Sequence, residues 1–98
     1  MSGKSFIAEL RARPEKRDEL IRLQAELKAL AHAQEPDLIV YELFQSDEDP
    51  DLFQVVTTFR DDAAFDHHMQ IDFHDRLVPP ILECLDGEMK LAFYRSLG

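Results

Sequence analysis

The spacing of apolar residues switches along the chain between two periods, and the order of the switches limits the folds that the chain can adopt. Alternation at every second residue is typical of a strand, and steps of three and four residues are typical of an amphipathic helix. Strand patterns cover residues 5–12, 38–44, 52–59 and 88–94. Helix patterns cover residues 14–32 and, with a break, residues 61–85. This β-α-β-β-α-β order predicts a ferredoxin-like α+β fold, in which an antiparallel sheet carries both helices on one face.

The first helix has the clearest signals. Pro14 suits the first helical turn, where its missing N–H costs little, and Glu15 suits the positive end of the helix dipole. The apolar stripe of this helix consists of Leu20, Leu23, Leu27 and Leu30. Steps of three and four residues place these leucines on one helix face. Pro36 then ends the helical segment, because a residue before proline avoids the helical backbone region.

The second helical region contains two prolines. Asp61 or Asp62 caps its first helix, and a further helical stretch covers residues 72–78. We expect Pro79-Pro80 to interrupt this stretch, because proline lacks the N–H that a helix interior requires. A short helical continuation through Leu85 is expected after the interruption.

Composition excludes several classes of protein. The 98 residues fit one domain, spanning residues 1–98. With 11 Lys and Arg against 20 Asp and Glu, the net charge of -9 argues against a nucleic-acid or anionic-membrane partner. No apolar run approaches the roughly 18 residues that span a bilayer. The single cysteine, Cys84, cannot form an internal disulfide, and no signal sequence is evident, so we expect a cytoplasmic protein.

Apolar residues occupy both faces of several predicted strands. A strand that is apolar on both faces is normally covered on both faces, whereas two helices cover only one. The helices alone are not expected to cover all of the following apolar residues: Phe6, Tyr41, Leu43, Phe53 and Phe93. A large exposed apolar sheet face marks an interface, so we predict a homodimer that is joined through the sheet face.

A histidine cluster on the second helix offers the main candidate for chemistry. Phe65, His68 and Met69 stand at helical spacing, which directs His68 inward and turns His67 about 100° away. His67 and His74 are interpreted as solvated surface residues. His68 is either a core histidine that donates to a backbone carbonyl or a base that lines a cavity between helices and sheet. The ordinary pKa of a histidine side chain, about 6.5, suits a base at neutral pH.

Other reactive groups are sparse. A metal site needs three or four convergent ligands, and the sequence offers only His68 and Asp72 at helical spacing, so we predict no metal. Cys84 has Glu83 and Asp86 beside it rather than the cations that activate a thiol, and we interpret it as a packing residue.

Three segments resemble the antibiotic biosynthesis monooxygenase family, and the resemblance covers nearly the whole chain. They are the helix entry Arg13-Pro14-Glu15-Lys16, the strand Tyr41-Glu42-Leu43-Phe44 with the following Asp47-Glu48-Asp49-Pro50, and the stretch from Phe59 to His68. The last is similar to the aromatic, acidic turn of the family and to its helix that ends in histidine. The resemblance implies a dimeric α+β barrel built from ferredoxin-like subunits.

The resemblance also implies a reaction. Members of the family oxygenate small quinols or related aromatic compounds with O₂ and without metal, flavin or haem, so no cofactor is expected. An electron-rich substrate reduces O₂ itself once it is deprotonated, and the protein supplies an apolar cavity, a base and a hydrogen-bond donor. His68 matches the histidine of the second helix in the family and becomes the expected catalytic base. The expected substrate-binding residues are Tyr41, Thr57, Phe59, Phe65, Met69 and Phe93.

The sequence is compatible with two other functions. The same cavity suits an isomerase or processing enzyme for a small, highly oxygenated signal metabolite. A non-catalytic ligand-binding dimer is the third candidate, because the family often has Glu-x-Trp at the end of strand three, where this chain has Thr57-Thr58-Phe59. The sequence therefore leaves open whether the protein is an enzyme.

Overall fold

The computed structural model describes residues 3–97 and follows the predicted order of elements. The strands are Gly3–Arg11 (β1), Leu38–Gln45 (β2), Leu52–Phe59 (β3) and Lys90–Ser96 (β4). The helices are Arg17–Gln34 (α1), Asp62–Gln70 (α2) and Asp72–Glu83 (α3), and a short 3-10 turn at Pro14–Lys16 precedes α1. None of the helices within residues 3–97 combines the length and the apolar character that crossing a membrane requires.

The four strands form one antiparallel sheet in the order β2-β3-β1-β4. The first strand is therefore central, and Phe6 lies opposite Thr57 of β3 and Phe93 of β4. The helices pack on one face of the sheet, where Leu10 and Phe53 are almost completely buried. The predicted ferredoxin-like α+β fold is thus confirmed.

The prediction that Pro79-Pro80 interrupts the last helix is wrong. Helix α3 continues through both prolines to Glu83. The carbonyl groups that lose their helical N–H partners belong to Asp75 and Arg76, four residues earlier, and both of these residues are exposed. Water can hydrogen-bond to these carbonyls, so the missing bonds do not end the helix.

The prediction of which residues form the uncovered sheet face is also wrong. Tyr41 and Phe53 are buried, and Phe6 and Leu43 are partly buried against the core. Of the five residues, only Phe93 is largely exposed, at 49%. Cross-strand neighbours share a face, and the pairing places all five on the side that faces the helices.

The opposite face of the sheet carries a different apolar set. Phe44 and Tyr94 are exposed on that face, and Val56 is partly exposed between them. The alternation along each strand is correct, but the sequence alone could not show which of the two faces the helices cover. An exposed apolar face exists with a different membership from the one predicted.

Candidate functional site

A buried carboxylate and a buried imidazole form the polar centre of the structure. Nδ1 of His68 lies 2.8 Å from Oε2 and 3.0 Å from Oε1 of Glu35. His68 is 2% exposed and Glu35 is 4% exposed. Both interpretations of His68 required an inward side chain, which is confirmed, but its partner is a carboxylate rather than a backbone carbonyl. The carboxylate holds the ring in one orientation and stabilises a proton on Nδ1.

Local sequence signals place both partners. The carboxylate of Asp61 accepts the N–H of Ala64 at 2.8 Å and caps α2, so His68 falls on the inward face of that helix. Pro36 keeps Glu35 in an extended conformation, with φ of -117° and ψ of 92°, and this conformation ends α1. The corner between α1 and β2 therefore brings the Glu35 carboxylate to the ring of His68.

A cavity of about 160 Å³ lies beside His68, between the sheet and helices α1, α2 and α3. Its lining is mostly apolar, and four polar side chains contribute to it. These are Gln24, Tyr41, His68 and His74. Because the two nitrogens of imidazole lie on opposite sides of the ring and Nδ1 is bound to Glu35, Nε2 is the nitrogen available to the cavity.

Tyr41 and Gln24 form a second polar pair in the cavity. The Tyr41 hydroxyl donates to Oε1 of Gln24 at 3.0 Å, and both side chains are buried. Burial raises the pKa of Tyr41 well above its ordinary value of 10.0, and the charge of Glu35 adds to this rise. The phenol therefore stays protonated over the whole neutral range, and it acts as a hydrogen-bonding group rather than as a base.

His74 lies against His68 rather than in solvent. The two ring centroids are 4.8 Å apart in an edge-to-face arrangement, and His74 is half-buried. Burial lowers the pKa of His74 below 6.5, and the neighbouring His68 lowers it further. The prediction of a solvated His74 is therefore wrong, whereas His67 is exposed as predicted.

The structure brings five of the seven predicted site residues to the cavity. These are His68, Tyr41, Phe65, Met69 and Phe93. Thr57 is completely buried in the sheet, where its hydroxyl donates to the carbonyl of Phe6 at 3.5 Å. Phe59 is also completely buried and packs against the ring of His68 at 5.0 Å. These two residues belong to the buried core next to the site and do not line the cavity.

Gln24, Glu35 and His74 are site residues that the sequence interpretation missed. A usable signal existed for Gln24, because it interrupts the apolar stripe of α1 one residue after Leu23. Glu35 carries no local signal, since its partner lies 33 positions along the chain. His74 was misplaced because α2 and α3 are separate helices. The extended backbone at Ile71, with ψ of 143°, resets the helical phase between them.

Among residues 3–97, side chains that could hold a metal do not converge at the site. Within residues 3–97, no three His, Cys, Asp or Glu side chains are grouped as a metal site would require. Cys84 is buried, and its Sγ lies 3.4 Å from the carbonyl oxygen of Pro80. Burial raises the pKa of this thiol. The polar chemistry of the cavity therefore comes from its histidines, tyrosine and glutamine.

The chain is similar to known proteins in sequence and in fold. The family model described as antibiotic biosynthesis monooxygenase matches residues 5–78. A conserved protein from Methanosarcina mazei is 27% identical with a TM-score of 0.91, covering 98% of this chain and 94% of that chain. A structure described as an antibiotic biosynthesis monooxygenase is 28% identical with a TM-score of 0.85, covering 97% of this chain and 99% of that chain. A Caulobacter crescentus protein shares the fold at 21% identity and a TM-score of 0.94, covering 99% of this chain and 92% of that chain. No curated protein matches the chain.

Proposed function

Because the chain belongs to the antibiotic biosynthesis monooxygenase family, we propose that it oxygenates a small phenol or quinol with O₂ and without a cofactor. The observation that carries this proposal is the Glu35–His68 pair at the wall of an apolar cavity. One nitrogen of the imidazole is held by the carboxylate, and the other is left to act on a ligand. This is the arrangement of a general base.

The buried carboxylate orients His68, because Nδ1 points to Glu35 and Nε2 is left to accept a proton. When Nε2 accepts a proton from a substrate hydroxyl, the imidazole becomes a cation next to the Glu35 carboxylate. The carboxylate lies 2.8 Å from Nδ1 and faces that positive charge. The deprotonated substrate is then electron-rich enough to transfer electrons to O₂.

The oxygenation balances without an added reductant. The substrate supplies two hydrogens, one from its hydroxyl group and one from a ring C–H. One atom of O₂ forms a new bond to that ring carbon and becomes a quinone oxygen, and the other atom leaves with the two hydrogens as water. The substrate loses four electrons, and the two atoms of O₂ together gain four. His68 accepts the hydroxyl proton first and returns it to the departing oxygen, so the base is regenerated.

The size of the cavity supports a substrate with a single ring. An apolar cavity of about 150 Å³ holds one benzene molecule, and the cavity here measures about 160 Å³. Phe65 and Phe93 form an aromatic wall, with their centroids 5.5 Å apart in an edge-to-face arrangement. Such a wall suits a flat aromatic ligand. The oxygen of Tyr41 can accept a hydrogen bond from a substrate hydroxyl, and the amide of Gln24 can donate one to a developing oxyanion.

The proposal includes a homodimer that forms through the sheet. Its support is the exposed apolar face that carries Phe44, Val56 and Tyr94, because such faces are typical of protein interfaces. A partner sheet packed there would bury these side chains. Light scattering at micromolar concentration tests this part, and a mass near 11.4 kDa would contradict it. The cytoplasmic location stays a prediction from the sequence.

The decisive experiment measures oxygen uptake with a panel of single-ring phenols and hydroquinones. We expect His68→Gln to lower the rate by about 10²-fold or more, because general-base catalysis contributes roughly 10²–10⁴-fold. The matched control is His32→Gln, which changes an exposed histidine on α1 and should leave the rate unchanged.

Two outcomes would replace oxygenation with another function. Turnover that continues at the same rate without O₂ would indicate the isomerase or processing enzyme. Tight binding of phenols with no turnover under any condition would indicate a non-catalytic binding protein. Equal rates for the wild type and His68→Gln would remove His68 from the mechanism.

A further inference from the structure

A cleft at the rim of the cavity carries two basic side chains. Lys4 and Arg95 line this cleft of about 510 Å³, which we call the rim cleft. Phe93 lines both the rim cleft and the cavity, so the two spaces adjoin. None of the ion pairs among residues 3–97 involves Lys4 or Arg95.

The strand register places these two cations opposite each other. Lys4 of β1 is the direct cross-strand partner of Arg95 of β4, and directly paired residues share one face of the sheet. Like charges in this position repel each other and destabilise the pair. An anion bound between them would remove the repulsion and form charge-assisted hydrogen bonds to both side chains.

Lys4 stands at the mouth of the cavity. Its Nζ lies 4.7 Å from the ring centroid of Phe93 and 5.7 Å from that of Phe65. Both rings line the cavity. Cation–π contacts hold the ammonium over the aromatic wall without neutralising its charge. A ligand ring inside the cavity would therefore direct a substituent at its outer edge toward this ammonium.

Two carboxylates also line the rim cleft, and neither pairs with the cations. Asp61 accepts a hydrogen bond from the N–H of Ala64 and thereby caps α2. Asp62 is exposed in the first turn of that helix, where its charge favours the positive end of the helix dipole. Neither lies within 4.0 Å of a Lys4 or Arg95 nitrogen. Within residues 3–97, therefore, no carboxylate is paired with either cation.

We propose that Lys4 and Arg95 bind a carboxylate of the substrate, which is thereby a hydroxylated aromatic acid rather than a neutral phenol. The ring occupies the cavity beside His68, and the carboxylate projects into the rim cleft. The net charge of -9 repels an anion from most of the surface. A local pair of cations is what allows an acidic ligand to bind. This inference rests on the proposed function for the reaction of the substrate hydroxyl group. Binding of the substrate carboxylate depends only on the rim cleft.

The test is a binding measurement that requires no turnover. Calorimetric titration compares 2,5-dihydroxybenzoate with its methyl ester, which has the same ring and hydroxyls but no charge. We expect the acid to bind about tenfold more tightly than the ester, as a charge-assisted contact at a partly exposed site would provide. Lys4→Met should abolish this preference, because methionine keeps the apolar stem over the two rings and removes only the ammonium. Lys4→Arg should retain it.

The matched control is Lys90→Met. Lys90 lies on the same strand as Arg95, and its Nζ is 3.6 Å from Glu9 on the opposite face of the sheet. This variant makes the same change in net charge and should keep the preference for the acid. The proposal is overturned if the acid and the ester bind equally, if neither binds, or if Lys4→Met keeps the preference.

The binding test and the activity test fail independently. A preference for the acid without oxygen uptake on any phenol would contradict the oxygenase proposal and leave the carboxylate site standing. Oxygen uptake with neutral phenols and no preference for the acid would contradict the carboxylate site and leave the oxygenase proposal standing.

Discussion

The helix-facing side of the sheet is filled over its central strands and open at one edge. Leu10 of β1 and Phe53 of β3 are buried beneath the helices. The edge strand β4 has Leu91 and Phe93 on the same side of the sheet, and both are about half exposed. All four strands carry apolar residues on this side of the sheet, so the position of the helices decides which of them form the core and which face a ligand. The site lies where the helix layer stops short of the sheet edge.

The largest expected effect comes from the filled side. Phe53→Ala should lower the free energy of unfolding by about 3–5 kcal/mol, because it removes a fully buried ring and leaves a void. Phe93→Ala at the open edge should cost about 1 kcal/mol or less, since half of that ring is already in contact with water. Urea unfolding of both variants measures the contrast. Equal losses of stability would show that the edge is packed as tightly as the centre.

The Glu35–His68 pair is a buried polar element on the border between the filled side of the sheet and the cavity. His68→Leu should cost about 3 kcal/mol at neutral pH, since it leaves the Glu35 carboxylate buried without a partner. The double variant with Glu35→Leu should recover most of that loss, because an apolar pair of similar size leaves no unpaired charge. A double-mutant cycle by denaturant unfolding provides the measurement. Additive effects of the two substitutions would contradict the coupling of these residues.

The smallest effect concerns pH. The pKa of His74 is lowered in the folded state from its ordinary 6.5, first by burial and then by His68, while Asp75 opposes the change. In the pH range below 6.5, the unfolded chain therefore binds a proton at this position that the folded chain resists. Stability is full above pH 6.5 and falls as the pH drops through the folded pKa. His74→Gln should lose less stability than the wild type between pH 7.5 and 5.5 in paired unfolding experiments. Parallel losses would place His74 in solvent.

Much of the fold could be predicted from the sequence because it depends on local periodicity. The stripe of α1 and the four alternating segments were sufficient for most of the element order, and the spacing of Phe65 and His68 was sufficient for the inward direction of His68. The continuation of α3 through Pro79-Pro80 could not be predicted in this way, because it depends on exposure of the carbonyls of Asp75 and Arg76 to water. Solvent exposure is a property of the assembled structure.

The candidate site was only partly predictable for the same reason. Tyr41, Phe65 and Met69 followed from resemblance and spacing, and they line the cavity. Glu35 meets His68 only because the α1–β2 corner lies against α2, a contact between segments that are distant in the chain. Thr57 was misassigned because its position on a strand gives no indication of the depth at which it is buried.

The central position of β1 has a consequence for how the chain acquires its structure. Phe6 is paired with Phe93 in the sheet, and β1 precedes the other strands in the chain, so its second edge stays unpaired until β4 has been synthesised. Closing such long loops slows folding relative to a helical protein of the same length. Until β4 arrives, the open edge of β1 can pair with a strand of another molecule. Refolding yield should therefore fall with increasing protein concentration, and β4 completes the fold by occupying the edge that would otherwise recruit other chains.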